Sequence, residues 1–285
     1  MHALAGLCVV MVSVWSGDPS VRNDNVFGLP EATTSTAGSV ILGGGGTLDE
    51  EVYEEFIARA GGKSARIVLI PSAYPYDDLA HLRRAFGGWR NYDITRFDFL
   101  HTDDPEVADS PKFTRVLEQA NGVWIAGGAQ GRLTYRYGER RVESLLRKVV
   151  ARGGVVGGTS AGASVMSALM IRYGSPTEAV LDRGFGITSR VVVDQHFSER
   201  GRFPRLLGVL EENPGQLGMG IDENTAAVLQ GNQVRVIGEG RVTLCIGPRR
   251  DGEGTTLHRL KGGEEAELFV SHPSANTEVL DLRRK

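Results

Sequence analysis

The stretch Gly154-Val155-Val156-Gly157-Gly158-Thr159-Ser160-Ala161-Gly162-Ala163 holds the residues best placed to do chemistry. A short apolar run leads into small residues suited to a sharp turn and then a helix. Gly158-x-Ser160-x-Gly162 fits G-x-S-x-G, in which the serine sits at the apex of a strained strand-to-helix turn. That strain requires small neighbours; Ala161, Gly162 and Ala163 leave room, and Thr159 is the one branched side chain beside it. The Ala161 N–H would open the new helix, where a backbone donor can hold a developing oxyanion. Small-residue turns also occur without catalysis, so partners must be found.

A serine nucleophile needs a base. The histidines are His2, His81, His101, His196, His258 and His272. His196 stands apart because it ends the strand-like Val191-Val192-Val193-Asp194-Gln195-His196-Phe197. The carboxyl ends of strands are where open α/β sheets place ligands. A carboxylate should then orient the imidazole. Gly220-Ile221-Asp222-Glu223-Asn224-Thr225-Ala226 offers Asp222 and Glu223 at another strand end. Side chains alternate along a strand, so only one can face His196; spacing does not say which. The order serine, histidine, acid differs from the serine, acid, histidine order of α/β-hydrolases.

These residues need a frame, and the chain alternates short apolar runs with helical patterns. Strands are expected at 39–42, 66–70, 92–100, 123–126 and 155–156, and helices at 48–60, 77–86, 111–120 and 139–151. Alternation of this kind implies a mostly parallel sheet with helices on both faces. After about residue 215 the pattern changes to short strands at 218–221, 226–230, 233–237 and 242–246, expected to extend the same sheet in antiparallel fashion. Residues 247–256 read as a loop. Glycines 43–46 raise a nucleotide site, but G-x-G-x-x-G fails at Leu48 or Asp49, depending on its start. A phosphate loop ending in Gly62-Lys63-Ser64 fails at Ile57. The four glycines therefore read as a tight turn bringing backbone near a pocket.

The 285 residues carry 32 Lys plus Arg against 35 Asp plus Glu, a formal charge of −3. No global basic field exists to hold a phosphate polymer, so nucleic acid is not an expected partner. Glycine is abundant at 38 residues, as tight turns and close backbone approaches require. Cys8 and Cys245 make no disulfide framework and no zinc spacing. Residues 3–15 are almost wholly apolar but short of the ~20 needed to span a bilayer. Their length suits a leader core, yet no Lys or Arg precedes them and the first is Arg22, so export and cytoplasmic retention both stand open. Residues 1–38 read as leader and linker, and 39–285 as a single α/β domain.

Four segments together resemble the cyanophycinase family of serine peptidases. They are Gly127-Gly128-Ala129-Gln130, the elbow from Gly158 to Ala163, the block from Asp194 to Leu206, and the segment from Gly220 to Ala226. The resemblance implies a class I glutamine amidotransferase-like fold, with Ser160 as nucleophile, His196 as base and Glu223 as third member. It implies substrate contacts at Gln130, Asp194, Gln195, Arg200, Arg202 and Arg205, and no metal or organic cofactor. It further implies that the substrate is cyanophycin, an aspartate backbone bearing arginine on each β-carboxyl, cut to β-Asp-Arg dipeptides, and that the enzyme is a homodimer. The three arginines beside the expected base suit such carboxylate-bearing peptides. The Ala161 N–H and a Gly128 N–H would form the oxyanion hole. Two other readings remain: an aspartyl or isoaspartyl dipeptidase related to peptidase E, and a non-catalytic amidotransferase-like binding module.

Overall fold

The computed structural model describes residues 9–15, 23–27, 37–76, 78–246 and 255–271. Strands run as β1 (Val9–Trp15), β2 (Asn23–Phe27), β3 (Ser39–Gly43), β4 (Arg66–Ile70), β5 (Arg96–Phe99), β6 (Gly122–Ile125), β7 (Val155–Thr159), β8 (Leu169–Gly174), β9 (Ala179–Arg183) and β10 (Val191–Gln195). They continue as β11 (Leu217–Ile221), β12 (Thr225–Gln230), β13 (Gln233–Gly238), β14 (Arg241–Ile246), β15 (Thr256–Lys261) and β16 (Glu265–Ser271). The α-helices are α1 (Glu50–Arg59), α2 (Leu79–Ala85), α3 (Pro105–Asp109), α4 (Pro111–Gln119), α5 (Gln130–Tyr137), α6 (Arg141–Ala151), α7 (Ala161–Ser164) and α8 (Phe203–Glu212).

The main sheet has ten strands in the order β2-β1-β16-β13-β12-β3-β7-β6-β4-β5. From β3 to β5 the neighbours are parallel; from β12 outward they are antiparallel. Alternation along the central strands sends residues to two cores. Val40, Leu42, Val68, Ile70, Val123 and Ile125 meet α4, α5 and α6 on one face. Ile41, Ile67, Leu69 and Trp124 meet Val52 and Phe56 of α1 on the other. Strands buried on both faces read as unbroken apolar runs, which residues 67–70 of β4 illustrate. No described helix is long and apolar enough to cross a membrane.

Four expectations change. Residues 226–230 and 233–237 extend the main sheet as β12 and β13, but 218–221 and 242–246 do not. They lie in a second sheet, β10-β11-β14-β15, whose parallel β10–β11 pair is followed by antiparallel partners. Each segment alone looks like a buried strand, and choice of sheet depends on long-range pairing. The strand expected at 92–100 shortens to Arg96–Phe99 because 87–91 turn as a 3-10 helix and bury Trp89 against Phe56 and Trp124. Helix α6 begins two residues late because Glu139 takes φ 57° and Arg140 is extended. Helix α5 and the β8–β9 hairpin were not anticipated. QGRLTYRY has few apolar residues and an early glycine, and only the tertiary fold buries Leu133 and Tyr137. Within the expected leader and linker, β1 pairs with β16 and β2 with β1. The rest of that span, and 247–254 of the expected loop, lie outside the described residues.

Candidate active site

The site forms where β7, β10 and the β11–β12 connection end. β7 stops at Thr159, and Ser160 takes φ 51°, ψ −114° before α7 begins. L-residues avoid that conformation, at a cost of about 1–3 kcal/mol. Small neighbours make the turn possible: a Cβ on Gly162 would collide with the Ile125 carbonyl, and one on Gly158 would lie 2.7 Å from the Gly162 backbone. Ser160 Oγ lies 2.9 Å from His196 Nε2. His196 follows β10 at φ 49°, and its Nδ1 lies 2.5 Å from Glu223 Oε1. Three distant stretches thus form one hydrogen-bonded line.

Asp222 and Glu223 point in opposite directions. Asp222 is buried and accepts from the Ser198 and Arg241 N–H groups, at 3.1 Å each. It fixes backbone on both sides of the site, while Glu223 turns to the imidazole.

The glycine turn at 43–46 registers the three parts. Ser160 N–H donates to the Gly43 carbonyl (2.9 Å), His196 N–H to the Gly44 carbonyl (2.7 Å) and Asn224 N–H to the Gly45 carbonyl (3.0 Å). Gly45 has φ 105°, and a Cβ there would strike the His196 ring. A Cβ on Gly44 would strike the Asp222 carbonyl. The tight turn at 43–46 is a cradle for the imidazole and its carboxylate.

Ser160 and His196 open onto a cavity of about 860 Å³ whose lining includes Gly128, Gln130, Gln195, Arg200, Arg202 and Arg205. These six were expected from sequence. Arg132, Tyr135, Arg172 and Tyr173 also line it; they come from the unanticipated α5 and β8. Asp194 does not line the cavity. It is 1% exposed, and both carboxylate oxygens are taken by Arg205, at 2.7 and 2.5 Å. Burial raises its pKa, against the Arg205 hydrogen bonds and charge, which lower it. Arg202 Nη1 donates to the Gln195 carbonyl (2.5 Å) and to Gln195 Oε1 (3.1 Å). Burial and the Arg205 charge push its pKa down to about 10, still a cation at neutral pH. The Arg200 backbone N–H donates to the His196 carbonyl at 3.2 Å, while its exposed guanidinium makes no ion pair or hydrogen bond among the described residues.

Gln130 Nε2 donates to the Ile171 carbonyl at 2.9 Å, which leaves Oε1 for another donor. Gly128, at φ 139°, packs against the Ala73 carbonyl, and a Cβ on its neighbour Gly127 would stand 3.4 Å from Ser160 Cβ. Ala161 is buried at the first position of α7. The His196 pKa is lowered, first by burial and then by the Arg200 and Arg202 charges, against the Glu223 contact that raises it. A neutral imidazole between a hydroxyl and a carboxylate can take the hydroxyl proton. Among the described residues no group of three or more His, Cys, Asp or Glu side chains is arranged to hold a metal ion.

Arg205→Ala would strand a buried carboxylate, a change that costs about 3–5 kcal/mol. A fall of that size is expected in chemical denaturation, whereas Arg200→Gln should leave stability within about 0.5 kcal/mol; equal stabilities would contradict the assignment. Gly45→Ala should displace His196 and remove at least about 99% of activity, because its methyl group needs the space of the ring. An alanine variant with wild-type kcat would show that the cradle is not required.

The pattern defining peptidase family S51 matches residues 40–237. The chain is 35% identical over 222 residues to a cyanophycinase of Synechococcus elongatus, covering 74% of this chain and 68% of that one. It is 36% identical over 223 residues to a cyanophycinase of Geminocystis herdmanii, covering 73% and 81%. A peptidase from an acI-B1 actinobacterium shares the fold at TM-score 0.65 and 23% identity, over 82% of this chain and 98% of that one. A putative peptidase E of Listeria monocytogenes does so at TM-score 0.50 and 13% identity, over 70% and 98%. The match spans every segment that meets at residues 160, 196 and 223, and on it the chain belongs to peptidase family S51 and is a serine peptidase.

Proposed function

We propose that this enzyme hydrolyses cyanophycin to β-Asp-Arg dipeptides through an acyl-enzyme. The observation that carries the reading is the line Ser160–His196–Glu223 at the mouth of an arginine-lined cavity. Similarity to cyanophycinases supplies the substrate.

His196 Nε2 accepts the Ser160 proton as Oγ adds to the α-peptide carbonyl of an aspartyl residue. Glu223 keeps the other ring nitrogen protonated and steadies the cation that forms. The N–H groups of Ala161 and Gly128 receive the oxyanion. On collapse the C–N bond breaks, and the departing amine takes the proton from His196. Water then gives a proton to His196 and adds to the acyl carbon, and Ser160 leaves with that proton restored. Each substrate unit carries a free arginine carboxylate. Arg200 lines the cavity with a guanidinium that has no ion pair or hydrogen bond among the described residues, so it is the first to receive one. Arg202 adds charge while staying tied to Gln195. Arg205 holds Asp194 and shapes the wall. Gln130 Oε1 and the Gln195 amide nitrogen have no hydrogen-bond partner among the described residues and can bond the substrate main chain.

Incubation with purified cyanophycin and, separately, with short aspartyl dipeptides tests the substrate by mass spectrometry. β-Asp-Arg release from the polymer is expected, and Ser160→Ala should lose at least about 10⁴ in kcat. Cleavage of aspartyl dipeptides with an untouched polymer would make the enzyme a dipeptidase. A Ser160→Ala enzyme keeping a tenth of the activity would remove Ser160 as nucleophile.

The base must be neutral, and burial keeps His196 neutral to lower pH than an ordinary imidazole. The acid limb of kcat/KM should therefore lie below about 6.5, with activity lost as pH falls through it and level above. A limb at or above 6.5 would contradict the assigned base.

A further inference from the structure

We infer that Ser72 and Tyr137 form a brace that positions the oxyanion loop, acting through Ala73 on Gly128 and Ala129. The inference rests on the proposed role of the Gly128 N–H and adds two residues that lie outside the cavity.

Four parallel strands end side by side. β7 leads to Ser160, β6 to Gly127 and Gly128, β4 to Ser72 and Ala73, and β5 to His101. Ser72 and Tyr137 are both fully buried. Ser72 Oγ lies 2.6 Å from Tyr137 Oη and 2.9 Å from His101 Nδ1. The Thr102 N–H donates to Tyr137 Oη at 3.3 Å. Arg136 Nη1 donates to the Ser72 carbonyl at 2.8 Å. The last turn of α5 therefore grips Ser72 through side chain and backbone at once.

The next residue carries the grip to the active site. The Ala73 carbonyl accepts from the Ala129 N–H at 2.9 Å, at the start of the same helix. That carbonyl also occupies the space where a Cβ on Gly128 would stand. Helix α5 is clasped at both ends by the two-residue segment 72–73, and the loop that packs on Ser160 immediately precedes its first clasped residue. Ser72 and His101 make a second serine–histidine pair, but Ser72 is closed to solvent and cannot meet a substrate. Buried hydroxyls cost free energy unless fully bonded. Here the bonding is directional, so it fixes the height of Gly128 against Ser160 as apolar packing would not.

The test compares Ser72→Ala, Tyr137→Phe and the double variant with wild type. A single Ser72→Ala takes the 2.6 Å Ser72 bond from the Tyr137 hydroxyl and leaves it the 3.3 Å bond from the Thr102 N–H. The double variant replaces the fully buried pair by apolar groups of similar shape, which limits the loss of stability, and the other two partners, His101 Nδ1 and the Thr102 N–H, are only half-buried. Thermal stability, kcat and KM on cyanophycin, and affinity for an aspartyl peptide aldehyde are read in each. The aldehyde adduct on serine places an oxyanion in the hole. The double variant should keep KM within about twofold while losing about tenfold in both kcat and aldehyde affinity. Tyr137→Phe, which leaves Ser72 bonded to His101, should show the same split at smaller size and serves if the double variant does not fold. A folded variant with wild-type kcat, or a fall in kcat with aldehyde affinity intact, overturns the brace. An aldehyde that forms no adduct with the wild-type enzyme overturns the nucleophile reading and the brace with it.

Discussion

The site depends on one constraint: Ser160 must sit at positive φ directly after a buried strand. Only then does its hydroxyl leave the sheet edge toward His196 while the following N–H groups turn inward. The surrounding structure enforces this with small residues rather than strong bonds. Gly158 and Gly162 let the Ile125 carbonyl approach the turn. Strain of about 1–3 kcal/mol at such a residue persists only where its surroundings over-determine it. His196 and Asn224 also take positive φ, and Gly44 and Gly45 bond the backbone of each. The geometry of the three side chains is thus held by main-chain contacts to one glycine turn.

A second constraint is electrostatic. The cavity gathers five arginines; Arg172 pairs with Asp182 at its edge, and the repulsion between Arg202 and Arg205 is relieved from beneath by a buried carboxylate. Asp194 binds Arg205 through both oxygens and lies 3.6 Å from Arg202. Burying a carboxylate is tolerated only with such complete pairing. The arrangement leaves Arg200 and part of Arg202 to face ligand. The same positive field, with burial, disfavours a protonated His196, so the features that attract anions also keep the base neutral.

Much of this was legible in the sequence because it is local. The elbow follows from the sizes of residues 158–163, and His196 from its place at a strand end. Spacing left Asp222 and Glu223 open because pleat direction at a strand end depends on where pairing stops. The resemblance pointed to Glu223, and in the structure Asp222 caps two backbone N–H groups instead. What was not legible is long-range. Asp194 seemed able to meet substrate because its burial beneath Arg205 cannot be read from i, i+11 spacing. Helix α5 was missed because Leu133 and Tyr137 are its only large buried apolar residues. With it went Tyr135, Arg132 and the far wall of the cavity. β11 and β14 were placed in the wrong sheet because strand patterns carry no record of their partners.

The central claim is that a neutral His196 links Ser160 to Glu223 in the resting enzyme. Proton NMR of the imidazole across a pH titration tests it most directly, with Glu223→Gln as reference. A strongly downfield Nδ1 proton is expected in the wild type and lost in the variant, with a His196 midpoint below that of free imidazole. A resonance at an ordinary shift that ignores the Glu223 substitution, with an unshifted midpoint, would contradict the account.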